Sequence, residues 1–136
     1  MKFSTRAQYG LRAMVNLARN YDKPSYSLHQ VAEEECISLA YLERLMALLK
    51  KAKLVKSKRG MKGGYRLSKS PAKIKVGEVI RTVEGPIAPV ECVAQGKDYK
   101  FCRLEKTCSS KIVWQRLRDK MVGVLNSITL YDLIKK

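Results

Sequence analysis

A mainly α chain with one β-hairpin, closed by a long C-terminal helix, is the fold class the sequence predicts. Three observations predict it. Two short amphipathic segments meet at a tight turn near residues 36–38, a Gly-rich reversal at 59–64 separates two short β-type runs, and a helical stretch runs through 110–128 without Gly-Pro punctuation. The 136 residues, 46% of them hydrophobic, suit one domain with an appendage and are too apolar for a disordered chain.

Residues 5–20 read as the first helix. Tyr9, Ala13, Val15, Leu17 and Ala18 supply its apolar face, and Asn20 with Asp22-Lys23-Pro24 ends it. Ser27 is placed to N-cap a second helix, LHQVAEEE, whose Leu28, Val31 and Ala32 point inward. Cys36-Ile37 make the turn, where Cys36 reads as a small packed residue. Ser38 caps a third helix, LAYLERLMALLKKA, with Leu39, Leu42, Leu45, Met46 and Leu49 at helical spacing. A short helix, a tight turn and a capped second helix form the helix-turn-helix layout.

Residues 54–58 then read as a strand, 59–64 as a Gly-rich turn and 65–68 as the return strand. A hairpin directly after a recognition helix is a wing, so the expected fold is a winged helix-turn-helix. Ser70-Pro71 ends the hairpin, and a short helix, VGEVIRTVEG, stops at Gly85-Pro86. Residues 86–107 read as loop, too long to be idle in a compact domain. Ser109 or Ser110 caps the long helix, and Thr129 starts a last short turn, LYDLIKK. On the long helix, Ile112, Leu117, Met121, Val124, Leu125 and Ile128 form a stripe wider than a small domain needs.

Charge narrows the partner. Lys plus Arg number 28 against 12 Asp plus Glu, a net +16 that points to nucleic acid or an anionic membrane. The excess is uneven: residues 1–75 hold 17 basic and 5 acidic side chains, and residues 50–75 hold 11 basic and no acidic one. A one-sided field of this kind suits a surface that neutralises phosphates. The opening stretch is apolar only at helical intervals and carries Arg6, Arg12 and Arg19, so neither a signal peptide nor a membrane span is expected, and a cytoplasmic location is. The four cysteines are then expected as free thiols or metal ligands rather than disulfides.

The recognition helix presents Ser38, Tyr41 and Arg44 as donors to phosphates or bases and Glu43 as an acceptor for a cytosine amino group. Tyr41 also suits partial core packing, and Glu43 an intrahelical pair. The wing carries Lys56, Lys58, Arg59, Lys62 and Arg66, with Arg59 placed at the tip to enter a narrow minor groove; a merely solvated cationic loop is the plainer reading. No catalytic Cys/His pair, carboxylate pair or phosphate-binding loop is present, so no enzyme is expected.

The segment ISLAYLERLMALLKKAKLVKSKRGMKGGYRLSKSPAKIKVGEVIRTVEG, with the opening STRAQYGLRAMVNLA and the closing SITLYDLI, closely resembles the IscR/NsrR/CymR family of bacterial winged-helix regulators. The resemblance covers nearly the whole chain. It implies a homodimer on a pseudo-palindromic double-stranded DNA operator, with the long C-terminal helices crossed at the interface. It also implies that Ser38, Tyr41 and Glu43 face the major groove and that Arg59 lies in the minor groove. The expected division is a DNA-binding domain over 1–85, a cysteine-bearing loop over 86–108, and a dimerisation helix with its tail over 109–136.

Cys92, Cys102 and Cys108 lie in and just after the long loop. Soft thiolates suit iron–sulfur centres, yet the spacing C-x9-C-x5-C is by itself weak, and three ordinary thiols or a zinc site remain open. Cluster-bearing members of the family resemble this chain in having three cysteines before the long helix. The resemblance therefore implies a 2Fe-2S or 4Fe-4S cluster sensing iron–sulfur status, nitric oxide or redox state. The alternative is a cluster-free, thiol-based or partner-controlled repressor. Some relatives place a fourth ligand, a histidine, three residues after the third cysteine, where Lys111 stands here. Others supply it from the partner subunit's first helix, a position held here by Gln8, with Glu91, Asp98 and Glu105 as local rivals. His29, the chain's one histidine, suits a surface or capping role in the DNA-binding half.

Overall fold

The computed structural model describes residues 2–58, 64–94, 103–104 and 106–135. Its elements in order are α1 (Thr5–Arg19), α2 (Leu28–Glu35), α3 (Leu39–Lys51), β1 (Val55–Lys58), β2 (Gly64–Leu67), α4 (Val76–Glu84), α5 (Lys111–Ser127) and α6 (Leu130–Ile134). Single 3₁₀ turns occur at Pro71–Lys73 and Glu91–Val93. The second of these gives local structure to a stretch expected to be plain loop. The fold is mainly helical with one antiparallel hairpin, as expected.

The caps explain where the helices begin. The Ser27 hydroxyl accepts from the Gln30 amide and the Ser38 hydroxyl from the Tyr41 amide, each satisfying an N–H that the helix itself leaves unpaired. Between these helices Cys36 adopts a left-handed conformation, φ 55°, while the Ile37 amide reaches back to the Ala32 carbonyl. That backbone turns the Cys36 side chain out to solvent and drives Ile37 into the core. The expectation of a packed Cys36 is therefore wrong: the tight turn needs one inward residue, and Ile37 is that residue.

Leu42, Leu45, Met46 and Leu49 of α3 are buried against Ala13, Met14, Leu17 and Ala18 of α1, with Val31 and Ala32 of α2 closing the core. Tyr9 and Val15, expected on the apolar face of α1, only flank it. Met14 and Asn16 are buried in their stead. Asn16 meets its polar needs by donating to the carboxylates of Glu34 (3.3 Å) and Glu35 (2.9 Å), which fastens α1 to α2.

The hairpin pairs Val55 with Leu67, Lys56 with Arg66, Ser57 with Tyr65 and Lys58 with Gly64. Val55 and Leu67 enter the core, so the register fixes the wing against α3. Tyr26 adds a bridge to Tyr65 on the outer side of β2 through two backbone hydrogen bonds of 2.9 Å. A Cβ at Gly64 would collide with the Tyr26 carbonyl, so the glycine allows this close approach. Burial and the hydrogen bond to Glu34 push the Tyr26 phenol up from its ordinary range.

A second, smaller cluster joins Ala7 of α1 and Val76 and Ile80 of α4 to Met121, Val122, Leu125 and Ile128 near the end of α5. The chain then returns: Val76 donates to the Ile128 carbonyl (2.8 Å), Leu130 donates to the Ile74 carbonyl (2.9 Å), and Leu130 is fully buried in the main core. Among the described residues of α5 itself, none is buried, and Ile112, Val113, Leu117 and Val124 are exposed. Ser110 precedes α5 without capping it, its hydroxyl lying 3.2 Å from the Cys108 sulfur instead.

Candidate nucleic-acid interface and thiol loop

Ser38, the cap of α3, and Glu43 and Arg44 in its second turn are exposed. Ser38 spends its oxygen on the Tyr41 amide at 3.2 Å, leaving the hydroxyl proton to donate outward. Neither Glu43 nor Arg44 has a hydrogen-bond or ion-pair partner among the described residues. Tyr41 is half-buried; its ring packs edge-on against Tyr9 with centroids 5.9 Å apart, and its hydroxyl lies 3.4 Å from that of Thr5. The expectation of partial core packing for Tyr41 is met, with the ring packed and the hydroxyl at the rim.

The wing extends this surface. Lys56 and Lys58 are exposed on β1, and the exposed Lys50 of α3 donates to the Ser57 hydroxyl at 2.8 Å, tying the end of the recognition helix to the strand. Arg66 is half-buried, an orientation the sequence did not suggest: its guanidinium lies over the Tyr21 ring at 4.6 Å. Arg59 and Lys62 lie outside the described residues. So the structure brings the α3 start and the stem of a cationic hairpin together on one compact body.

Of the thiols, Cys92 sits in the 3₁₀ turn at Glu91–Val93, half-buried, and Cys108 lies just before α5, also half-buried. Both are free of disulfides, as is the exposed Cys36. The hydrogen bond from Ser110 holds the Cys108 thiol below its usual range, and the backbone amides of Ser110 and Lys111 act the same way. Arg118 of α5 donates to the Val93 carbonyl at 2.9 Å, which ties the Cys92 turn to the long helix. Cys102, Asp98 and Glu105 lie outside the described residues; among the described residues alone, no group of three His, Cys, Asp or Glu is placed to hold a metal. Gln8 is exposed on α1, its side-chain amide donating to the Phe3 carbonyl at 3.3 Å, and His29 is exposed on α2. No described helix is long and apolar enough to cross a membrane.

A capped, outward-facing helix followed by a basic hairpin defines a winged helix-turn-helix DNA-binding regulator. Residues 3–136 match the model of the Rrf2 family, described as an iron-dependent transcriptional regulator, and the chain belongs to that family. It is 41% identical over 133 residues to the HTH-type transcriptional regulator CymR of Bacillus subtilis, covering 98% of this chain and 89% of that protein. The solved structure of that CymR, described as the global cysteine regulator of B. subtilis, matches with TM-score 0.78 at 39% identity, covering 98% of this chain and 95% of that one. The regulator IscR of Escherichia coli is 36% identical over 134 residues, covering 98% of this chain and 80% of that protein. The structure of T. potens IscR matches with TM-score 0.79 at 38% identity, covering 98% and 86%. The protein is a DNA-binding transcriptional regulator and not an enzyme.

Proposed function

We propose that the protein acts as a homodimer that reads a pseudo-palindromic operator, its DNA affinity controlled by an iron–sulfur cluster on Cys92, Cys102 and Cys108. Residues 1–85 read DNA, 86–108 carry the sensor, and 109–136 dimerise. In this reading Ser38, Tyr41, Glu43 and Arg44 meet the major groove, while Lys56, Lys58, Arg59, Lys62 and Arg66 engage the backbone and minor groove. The observation that carries the control is the tie between the Cys92 turn and α5: Arg118 links that turn to the helix. Asn126 of α5 in turn accepts from Arg81 of α4 at 3.1 Å.

The donor set fits the group. Cys92 and Cys108 are half-buried and free of disulfides, and the Cys108 thiol, held below its usual range by Ser110, is suited to ligation. A bound cluster supplies a redox- and nitric-oxide-sensitive centre. Gln8 of the partner subunit is the leading fourth ligand; an amide oxygen is a poor iron ligand, so this contact breaks readily. Its place on α1, which packs on α3, gives a route to the reading helix.

Anaerobic purification tests this. A brown, iron-containing protein that loses iron in Cys92→Ser, Cys102→Ser and Cys108→Ser, and keeps it in Cys36→Ser, supports the cluster. A colourless, iron-free protein supports the second reading, a thiol-based or partner-controlled repressor, which the similarity to CymR favours. Gln8→Ala that leaves the spectrum, oxygen stability and DNA response unchanged removes the cross-subunit ligand and moves attention to Glu91, Asp98 or Glu105.

A further inference from the structure

A cavity of about 290 Å³ opens where α4, the turn after it and α5 meet, lined by Arg81, Pro86, Ile87, Arg118, Val122 and Asn126. No residue of the proposed DNA surface or cluster set lines it. Arg118, Val122 and Asn126 follow one another at four-residue steps along α5 and so share one side of the helix, whereas Leu117 and Val124 face another. Part of the lining is apolar: Ile87 is buried and Val122 half-buried. Two guanidiniums border that apolar surface, with no acidic side chain in the lining.

Each polar group of the cavity is held in place. Arg118, its side chain only 19% exposed, pairs with Asp119 at 3.0 Å and donates to the Val93 carbonyl at 2.9 Å. Arg81 donates once, to the Asn126 side-chain oxygen at 3.1 Å, which leaves most of its five N–H donors and the Asn126 amide nitrogen unspent among the described residues. Asn126 is seated against Gly77, where a Cβ would collide with its side-chain oxygen. Fixed guanidiniums beside an apolar wall match a carboxylate on a short apolar tail, with the forks taking the oxygens and the wall taking the tail. We propose that this cavity binds a small aliphatic carboxylate, with Arg81 and Arg118 as its anion ligands and Asn126 as a further donor. The bound acid spans α4 and α5 and shares Arg118 with the Cys92 turn. It needs neither DNA nor a cluster, so the site stands apart from the function proposed above.

Isovalerate titrated into the DNA-free full chain tests the site, with amide and arginine NMR shifts as the readout and chloride holding ionic strength constant. Saturable one-site binding is expected, weakened about tenfold or more in Arg81→Gln and in Arg118→Gln, since each loses a charge-assisted contact. Arg81 is exposed, so its variant keeps the test valid if Arg118→Gln folds poorly. Isovaleramide has the same shape without the charge and should show no saturable binding. Acetate should bind about tenfold or more weakly for want of the apolar tail. Arg116→Gln removes the same charge from an exposed position on α5 outside the cavity and should leave the affinity unchanged. Absence of saturable isovalerate binding overturns the site. So does an affinity that isovaleramide or acetate matches, that neither cavity variant lowers, or that Arg116→Gln lowers as much as they do.

Discussion

Glu43 and Lys58 are both exposed, and the proposed function puts both on the DNA-reading surface, yet their chemistry differs. A carboxylate repels the phosphate backbone and earns its place only through a base amino group, so Glu43→Ala should change which sequences are selected more than it changes overall affinity. Selection from random duplexes checks this, and an unaltered preference would leave Glu43 out of the readout. Lys58 is a point charge, indifferent to sequence. Lys58→Ala should lower the slope of log K against log salt by about 1, and an unchanged slope would take it off the phosphate interface. Tyr41 shows how one residue serves two ends, since its ring braces α3 on Tyr9 while its hydroxyl stays at the rim.

At the scale of elements, the turns and caps carry strain and order that single contacts do not reveal. Cys36 holds a left-handed backbone that a side chain resists, and its thiol touches no core. Cys36→Gly should therefore raise stability by roughly 0.5–1 kcal/mol, read as a higher denaturation midpoint. A lower midpoint would show that the turn is relaxed as it stands. The cap of α6 is reciprocal: Thr129 accepts from the Asp132 amide, and Asp132 accepts from the Thr129 amide at 2.9 Å. Thr129→Ala should cost about 1 kcal/mol. The same hydrogen bond, with help from Lys135, holds the Asp132 carboxyl below its usual range. A carboxyl depressed on folding stabilises above its unfolded pKa, and that contribution fades as pH falls through the folded value. Wild type should thus lose part of its stability in the acid range, and Asp132→Asn should lose less over the same interval. Parallel acid profiles for the two proteins would count against the cap.

For the whole molecule, the long helix poses the main question. Ile112, Val113, Leu117 and Val124 on α5 are exposed together, with Phe3, Met121 and Leu125 lining an apolar groove nearby. An apolar face of this extent calls for a covering surface, and in the proposed homodimer a second copy supplies it. Leu117→Glu or Val124→Glu should yield monomers, because each puts an unpaired charge into that contact. Soluble dimers of unchanged mass in both variants would place the interface elsewhere.

Local chemistry alone determined much of this protein. Ser27 and Ser38 as caps, the leucine spacing of α3 and the Thr129 start are signals read within four or five residues of chain, and the structure bears them out; the Gly-rich turn between the two strands lies outside the described residues except for Gly64. The concentration of cations over 50–75 is equally a property of composition. What tertiary structure alone decided are contacts between distant segments. Tyr26 joins the wing as an outer bridge to Tyr65, and Arg66 turns inward onto Tyr21. Asn16 is buried because Glu34 and Glu35 lie across from it, and Leu130 returns to the main core beside Ile74. None of these has a periodic signature. Each depends on where another helix or loop closes in space, and the free energy of such a pairing belongs to both partners at once.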